Sequence, residues 1–274
     1  MDELLTDPVF QTAVIPFFVA LIAGAILNRF GWYWAGLAVV TGFIACAWLI
    51  MDIKLFPLTS TRKIFMLGMI AIAVGLTLDK YMGVRRFVPH VLFVGGIVAA
   101  LWVIWPVLMR KQGVDFWLLA TGASIYAGWL MMAMERLRHN SLRAGAAAFS
   151  LGIGTGVSAV MGASALLGQL ASSIGAASGA YLLLALFFPK QSAGSTLTTP
   201  AALLCGLLAI AGHVYATLPW YVWPILAIIP PIASVPLPEQ KPTWIKIALL
   251  MSVTLPLALG SILVAWWIEG APPI

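Results

Sequence analysis

The densest group of side chains able to do chemistry is Glu135-Arg136-Leu137-Arg138-His139-Asn140, followed closely by Arg143. A second group, Asp79, Lys80, Arg85 and Arg86, lies two apolar segments earlier. Together they set six cations beside two carboxylates. Arginine binds phosphate bidentately. Such a cluster could hold a lipid phosphate, with Glu135 or His139 as the base. The spacing gives that reading no further support, because neither HxxxxD nor a paired DxxD occurs. Basic groups at the ends of apolar segments more commonly set orientation and touch anionic lipid headgroups. Arg85, Arg86, Arg136, Arg138 and Arg143 are the residues expected to make that contact.

The other polar candidates lie deeper. His213, Gln169 and His90 fall inside or near apolar runs. A histidine at the depth of His213 could ligate a haem or pigment metal, although donation to a neighbouring carbonyl is the commoner use. Gln169 is expected to bond across helices. Cys46 and Cys205 are far apart, each within an apolar run. They make neither a disulfide framework nor a zinc site, and read as small packing residues. Gly152-x-Gly154-x-Gly156 follows no strand and lies within an apolar segment, so it is no dinucleotide fingerprint. No catalytic, metal-binding or cofactor-binding signature is found. Every Asp and Glu falls at or near the end of an apolar segment, which disfavours a proton or sodium relay through the interior.

These residues punctuate a chain of 274 residues that is 62% hydrophobic and only 9% charged. Soluble domains carry about 25% charged residues. A spanning helix needs roughly 20 apolar residues. The pattern therefore predicts an all-α, polytopic membrane bundle, one transmembrane domain over 1–274 with no soluble domain. Ten spans are expected, at 9–28, 32–51, 63–79, 87–109, 114–134, 143–161, 164–188, 199–217, 219–237 and 243–267. The net charge of +6 lies at span ends and does not imply nucleic acid. The chain opens on Asp2, Glu3 and Asp7, with no basic residue before Arg29, so the first run is expected to stay as a span and not to act as a signal peptide.

Between Arg143 and Lys190 there is no charge across 46 residues. One helix of that length would overshoot the bilayer. Met161-Gly162-Ala163-Ser164 offers a glycine stop and a serine cap, so a tight hairpin is expected. Its arms carry a stripe of small residues: Gly152 and Gly156 on one, Gly168, Ser172, Gly175 and Gly179 on the other. Such stripes let backbones approach closely in lipid. They serve packing within the chain, self-association, a partner subunit, or a groove for a flat apolar ligand.

The ninth segment holds Pro224, Pro230, Pro231 and Pro236. Each proline frees the carbonyl four residues earlier, here those of Trp220, Leu226, Ala227 and Ile232. Freed backbone at membrane depth must be satisfied by protein or by a water-filled cavity. Pro230 and Pro231, with His213 and Gln169, are therefore the candidates for a substrate path.

Orientation follows from Lys and Arg in alternate loops. The loops holding Arg29, residues 80–86, residues 136–143, Lys190 and residues 241–246 carry ten, against five in the others. The first set is expected in the cytoplasm and both termini outside, in a bacterial-type inner (plasma) membrane. The plan is similar in span count and size to the small drug/metabolite exporters, and no residue extends the likeness. The expected function is a non-catalytic integral subunit or scaffold of a larger membrane assembly. The alternative is a transporter or flippase for a small or lipid-like molecule, using the broken ninth span. Expected partners are membrane lipids, other membrane subunits or a second copy.

Overall fold

Segments this apolar must satisfy their backbone internally, so each folds as a helix. The computed structural model describes residues 7–31, 34, 36–51, 58–82, 86–162, 164–188, 192–238 and 240–269. Among these, all regular structure is helical: α1 (Phe10–Phe30), α2 (Leu37–Ile50), α3 (Ser60–Tyr81), α4 (Val88–Leu108), α5 (Gly113–Glu135), α6 (Ser141–Met161), α7 (Ala165–Phe187), α8 (Ser195–Tyr215), α9 (Val222–Ala233) and α10 (Thr243–Glu269). Eight of these are long and apolar enough to cross a membrane; α2 and α9 are shorter. The chain is a multi-pass helical membrane bundle.

The expectation of ten full-length spans is corrected at α2 and α9. At 1.5 Å per residue, the 14 residues of α2 cover about 21 Å of a hydrocarbon core near 30 Å. The helix starts only after Gly36, which lies on the beginning of α8. A Cβ on Gly36 would sit 2.6 Å from Thr196 Oγ1 and 2.8 Å from the Ala193 carbonyl oxygen. At its other end, Cys46 Sγ reaches the Gln169 carbonyl, near the start of α7. The short helix therefore still runs from one face of the bundle towards the other. In α9 the prolines divide the segment into two short turns of helix, Val222–Ala227 and Ile229–Ala233.

The core is α8. It packs on α2, α3, α4, α5, α6 and α7, and all its residues from Ser195 to Gly212 are buried. By contrast α1 and α10 bury only a minority of their residues, which suits a lipid-facing rim.

The hairpin forms between α6 and α7. Gly162 closes α6 with its N–H on the Ser158 carbonyl at 3.0 Å. Ser164 then caps α7, its hydroxyl accepting from Leu167 N at 3.4 Å. The small-residue stripe is spent on this contact. A Cβ on Gly152 would strike the Gly175 backbone, and one on Gly156 or Gly168 would strike Ser172 or Val160 respectively. A Cβ on Gly175 would lie 2.9 Å from Ile153. Gly179 is looser and faces the Phe149 ring at 3.2 Å. On its other side α6 meets α10 through two hydroxyl pairs, Ser150 to Thr254 at 2.9 Å and Ser158 with Ser261 at 3.2 Å. Gly154 lies between them, close to Ala258.

These contacts rank the glycines. Gly152→Ala should cost about 1–3 kcal/mol, because backbone opposes the new methyl and cannot rotate away. Gly179→Ala should cost less, since a phenyl ring can shift. Gly95→Ala and Gly260→Ala, where a Cβ would meet nothing within 4 Å, should leave stability within about 0.5 kcal/mol. Thermal unfolding of the four variants in one detergent checks the order. Equal melting temperatures would show that the hairpin is not closely packed.

Candidate functional site

A helix leaves its first four N–H groups without intrahelical partners. The start of α8 is buried, so these groups cannot turn to water. A carboxylate from α3 takes two of them: Asp79 Oδ1 accepts from Ser195 N at 2.8 Å and Oδ2 from Thr196 N at 2.9 Å. An anion here also faces the positive end of the helix dipole. Asp79 reaches this point because α3 ends in a wider π-turn over Leu78–Met82. The preceding Gly194 has φ +70° and donates its N–H to the Arg138 carbonyl at 3.0 Å.

The second carboxylate comes from the last residue of α5. Glu135 is 2% exposed. Its Oε1 accepts from Ser195 Oγ at 2.6 Å and from an Arg138 guanidinium nitrogen at 2.9 Å. Its Oε2 accepts from Thr198 Oγ1 at 2.9 Å. The same Arg138 nitrogen lies 3.4 Å from Ser195 Oγ. Arg138 is itself 7% exposed, and its Nε donates to His139 Nε2 at 3.1 Å. Accepting that bond requires a neutral imidazole. His139 is accordingly held below its ordinary pKa, by partial burial first and then by the Arg138 charge.

Two acids, the half-buried Asp79 and the buried Glu135, with an arginine and two hydroxyls thus form one knot joining α3, α5 and α8. A hydroxyl between a carboxylate and a guanidinium resembles an activated nucleophile. Ser195 is 0% exposed, however, so no substrate reaches its oxygen in this arrangement. What the knot can do is lock three helix ends in register.

The expected residues are distributed as follows. Arg138, expected at lipid headgroups, is turned inward onto Glu135. Arg136 and Arg86 are exposed, and Arg143 is half-buried with its backbone N–H on the Asn140 side chain at 3.1 Å. Arg85 lies outside the described residues. Among the candidates for a path, Pro230 is buried and Pro231 exposed. The Ala227 carbonyl, freed by Pro231, accepts from Trp129 Nε1 at 2.9 Å. Leu226 is fully buried. Gln169 is half-buried, and its backbone carbonyl receives Cys46. His213 lies elsewhere, at the edge of a cavity of about 640 Å³ between the ends of α4 and α8 and the starts of α5 and α9. Its Nδ1 meets the Leu218 carbonyl at 2.7 Å, so that nitrogen carries the proton. Among the described residues no three His, Cys, Asp or Glu side chains converge as a metal would require.

Sequence reasoning missed Ser195, Thr196 and Thr198. The run Ser195-Thr-Leu-Thr-Thr199 ahead of an apolar segment was the available signal, being rich in helix-capping residues. No protein-family model matches the chain, and no curated protein matches its sequence.

The buried pair makes two expectations measurable. Glu135→Leu removes the carboxylate that faces the buried Arg138 charge at 2.9 Å, which should cost about 3–5 kcal/mol, and adding Arg138→Met should recover most of it. Denaturant unfolding in detergent reads both; a double variant no better than the single would overturn the pairing. For His139 the folded pKa is lowered, so the unfolded chain binds more protons in the window below about 6.5. Stability should therefore fall as pH drops through that window. His139→Gln should flatten this part of the profile, and an unchanged slope would show that His139 is not the group responsible.

Proposed function

We propose that the chain is a non-catalytic integral membrane subunit or scaffold of a larger membrane assembly. One observation carries this reading: the buried ion pair and two of the carbonyls freed by prolines, which could have opened an interior path, are bonded to the chain itself. Glu135 and Arg138 are closed on Ser195 and Thr198. Two carbonyls freed by prolines are capped by side chains, Ala227 by Trp129 and Trp102 by Lys63 at 3.1 Å. A core held this way favours a rigid body that presents lipid-facing helices to neighbours. The small-residue stripe is consumed inside the hairpin, so contacts with other subunits or a second copy fall to the outer faces of α1, α4 and α10.

The second reading, a transporter or flippase for a small or lipid-like molecule, is favoured by the cavity beside His213. It requires α8 to move, because a continuous buried stretch of that helix separates the cavity from the opposite face. We place the membrane as a bacterial-type inner membrane, with the knot at the cytoplasmic face and both termini outside, from the ten-to-five bias of basic residues.

Cysteines at Leu226 and Ala227, in a chain lacking Cys46 and Cys205, separate the readings. A dry, capped joint should leave both unreactive towards a small water-soluble maleimide in intact membranes, since thiolate does not form in an apolar site. Labelling of both would favour transport. Mild extraction and sizing should find the 29.3 kDa chain with a stoichiometric membrane partner. A lone monomer or dimer in several mild detergents would overturn the scaffold. Alkaline phosphatase fused after Ile274 should be active, and an inactive fusion that fluoresces with a cytoplasmic reporter would reverse the orientation.

A further inference from the structure

The cavity beside His213 has the composition of a binding site. Its mouth carries Lys111, Asp115 and the exposed Trp220, its back wall is His213 and Trp223, and one side runs down α5 past Leu118, Gly122 and Ile125. At about 640 Å³ it lies in the range of ligand pockets. We propose that it binds one phospholipid with an amine-bearing, zwitterionic headgroup. The lipid phosphate sits at Lys111, its ammonium at Asp115 and the indole faces, and an acyl chain lies along Leu118 and Ile125.

Charge complementarity selects the headgroup. Lys111 and Asp115 are both exposed, and among the described residues no ion pair reaches either. They sit four positions apart across the start of α5. A purely anionic ligand at Lys111 would face the Asp115 carboxylate, and a purely cationic one would face the Lys111 ammonium. Adjacent charges of both signs satisfy both groups. Indole rings add attraction for a cation.

The walls select the rest of the molecule. From Asp115 to Ile125 the helix descends about 15 Å, half the hydrocarbon thickness. Leu118 and Ile125 are strongly exposed along that descent, so the groove opens sideways to lipid. Trp117 and Trp220, both exposed, mark the headgroup level at the same end. A charged mouth with an apolar furrow below it matches an amphiphile entering from the bilayer.

The back wall is pre-formed. Trp223 stacks on Tyr126 at 5.5 Å and donates to the Ala209 carbonyl at 3.3 Å. His213 packs edge-on against Trp223 at 5.0 Å, and its Nδ1 proton is spent on Leu218. Gly122 provides the room: a Cβ there would meet only Trp223, at 3.6 Å.

Native mass spectrometry of the full chain in mild detergent tests this, with phosphatidylethanolamine, phosphatidylcholine, phosphatidylglycerol and soluble phosphoethanolamine as probes. One phosphatidylethanolamine should be retained at least tenfold more strongly than phosphatidylglycerol. Phosphatidylcholine should bind more weakly, because its quaternary ammonium cannot donate to Asp115. Soluble phosphoethanolamine should not be retained, since it lacks the chain. Gly122→Leu fills the cavity and should lower retention at least tenfold at an unchanged melting temperature. Asp115→Asn, at an exposed position, should level the preference between the ethanolamine and glycerol lipids. Equal retention of the three lipids by the unmodified chain would overturn the site, as would an unaltered preference in Asp115→Asn. Retention of phosphoethanolamine alone would overturn its lipid character.

Discussion

The central helix begins inside the protein, and its first N–H groups have no water to turn to. That constraint organises one whole face of the bundle. The side chain that caps α8 is Asp79, which lies on α3 and not beside the helix it caps. The carboxylate that anchors its first-turn hydroxyls is Glu135, at the end of α5. Moving either helix by one residue along its axis, about 1.5 Å, would break several charge-assisted bonds together. A buried ion pair adds little net stability over an apolar substitute. What this one supplies is registry among helices whose apolar surfaces would otherwise slide, since lipid is as apolar as leucine and offers no hydrophobic drive to hold them.

The same backbone requirement explains how the chain tolerates prolines in its spans. Pro106 leaves the Trp102 carbonyl unbonded within α4. Lys63 crosses from α3 to donate to it, with its ammonium 5.4 Å from the Trp102 ring. Pro231 leaves the Ala227 carbonyl, and Trp129 crosses from α5. Each kink is thereby converted into a tie between helices. A broken span is a sign of a wet path only when no neighbouring donor reaches the break. For Pro231 one does.

The spans were legible because hydropathy and length are local properties. The turn at Gly162 and the Ser164 cap were legible for the same reason, as each is a matter of two or three adjacent residues. The knot was not. Glu135 and Ser195 are 60 positions apart, and Asp79 and Ser195 are 116 apart. No pattern within a helix announces such a pairing. The misplaced start of α8 follows directly: Ser195 to Thr198 look polar enough to lie outside the bilayer until their partners on other helices are known. Arg138 fails in the same way. Its position at a segment end suggests lipid contact, while Glu135 three residues before it turns it inward. The stripe from Gly168 to Gly179 was legible as a packing face, but what it packs on, Gly152 and Gly156, follows only once the hairpin closes.

The two faces of the bundle differ in a way that follows from these pairings. At the knot, acidic and basic groups are consumed by one another and by helix ends, leaving the interior there closed. Across the bundle, Lys111 and Asp115 stay apart and exposed above a preformed aromatic wall. The difference traces to the helix starts. The start of α8 is buried, so it draws Asp79 and Glu135 onto itself. α5 begins at Gly113 itself, with φ +61° and open space around it, and its start lies exposed where water can serve its amides. Asp115 is therefore not needed to cap a buried backbone and remains available to a ligand. Burial of a helix start decides whether the acid nearest to it becomes structural or stays chemically free.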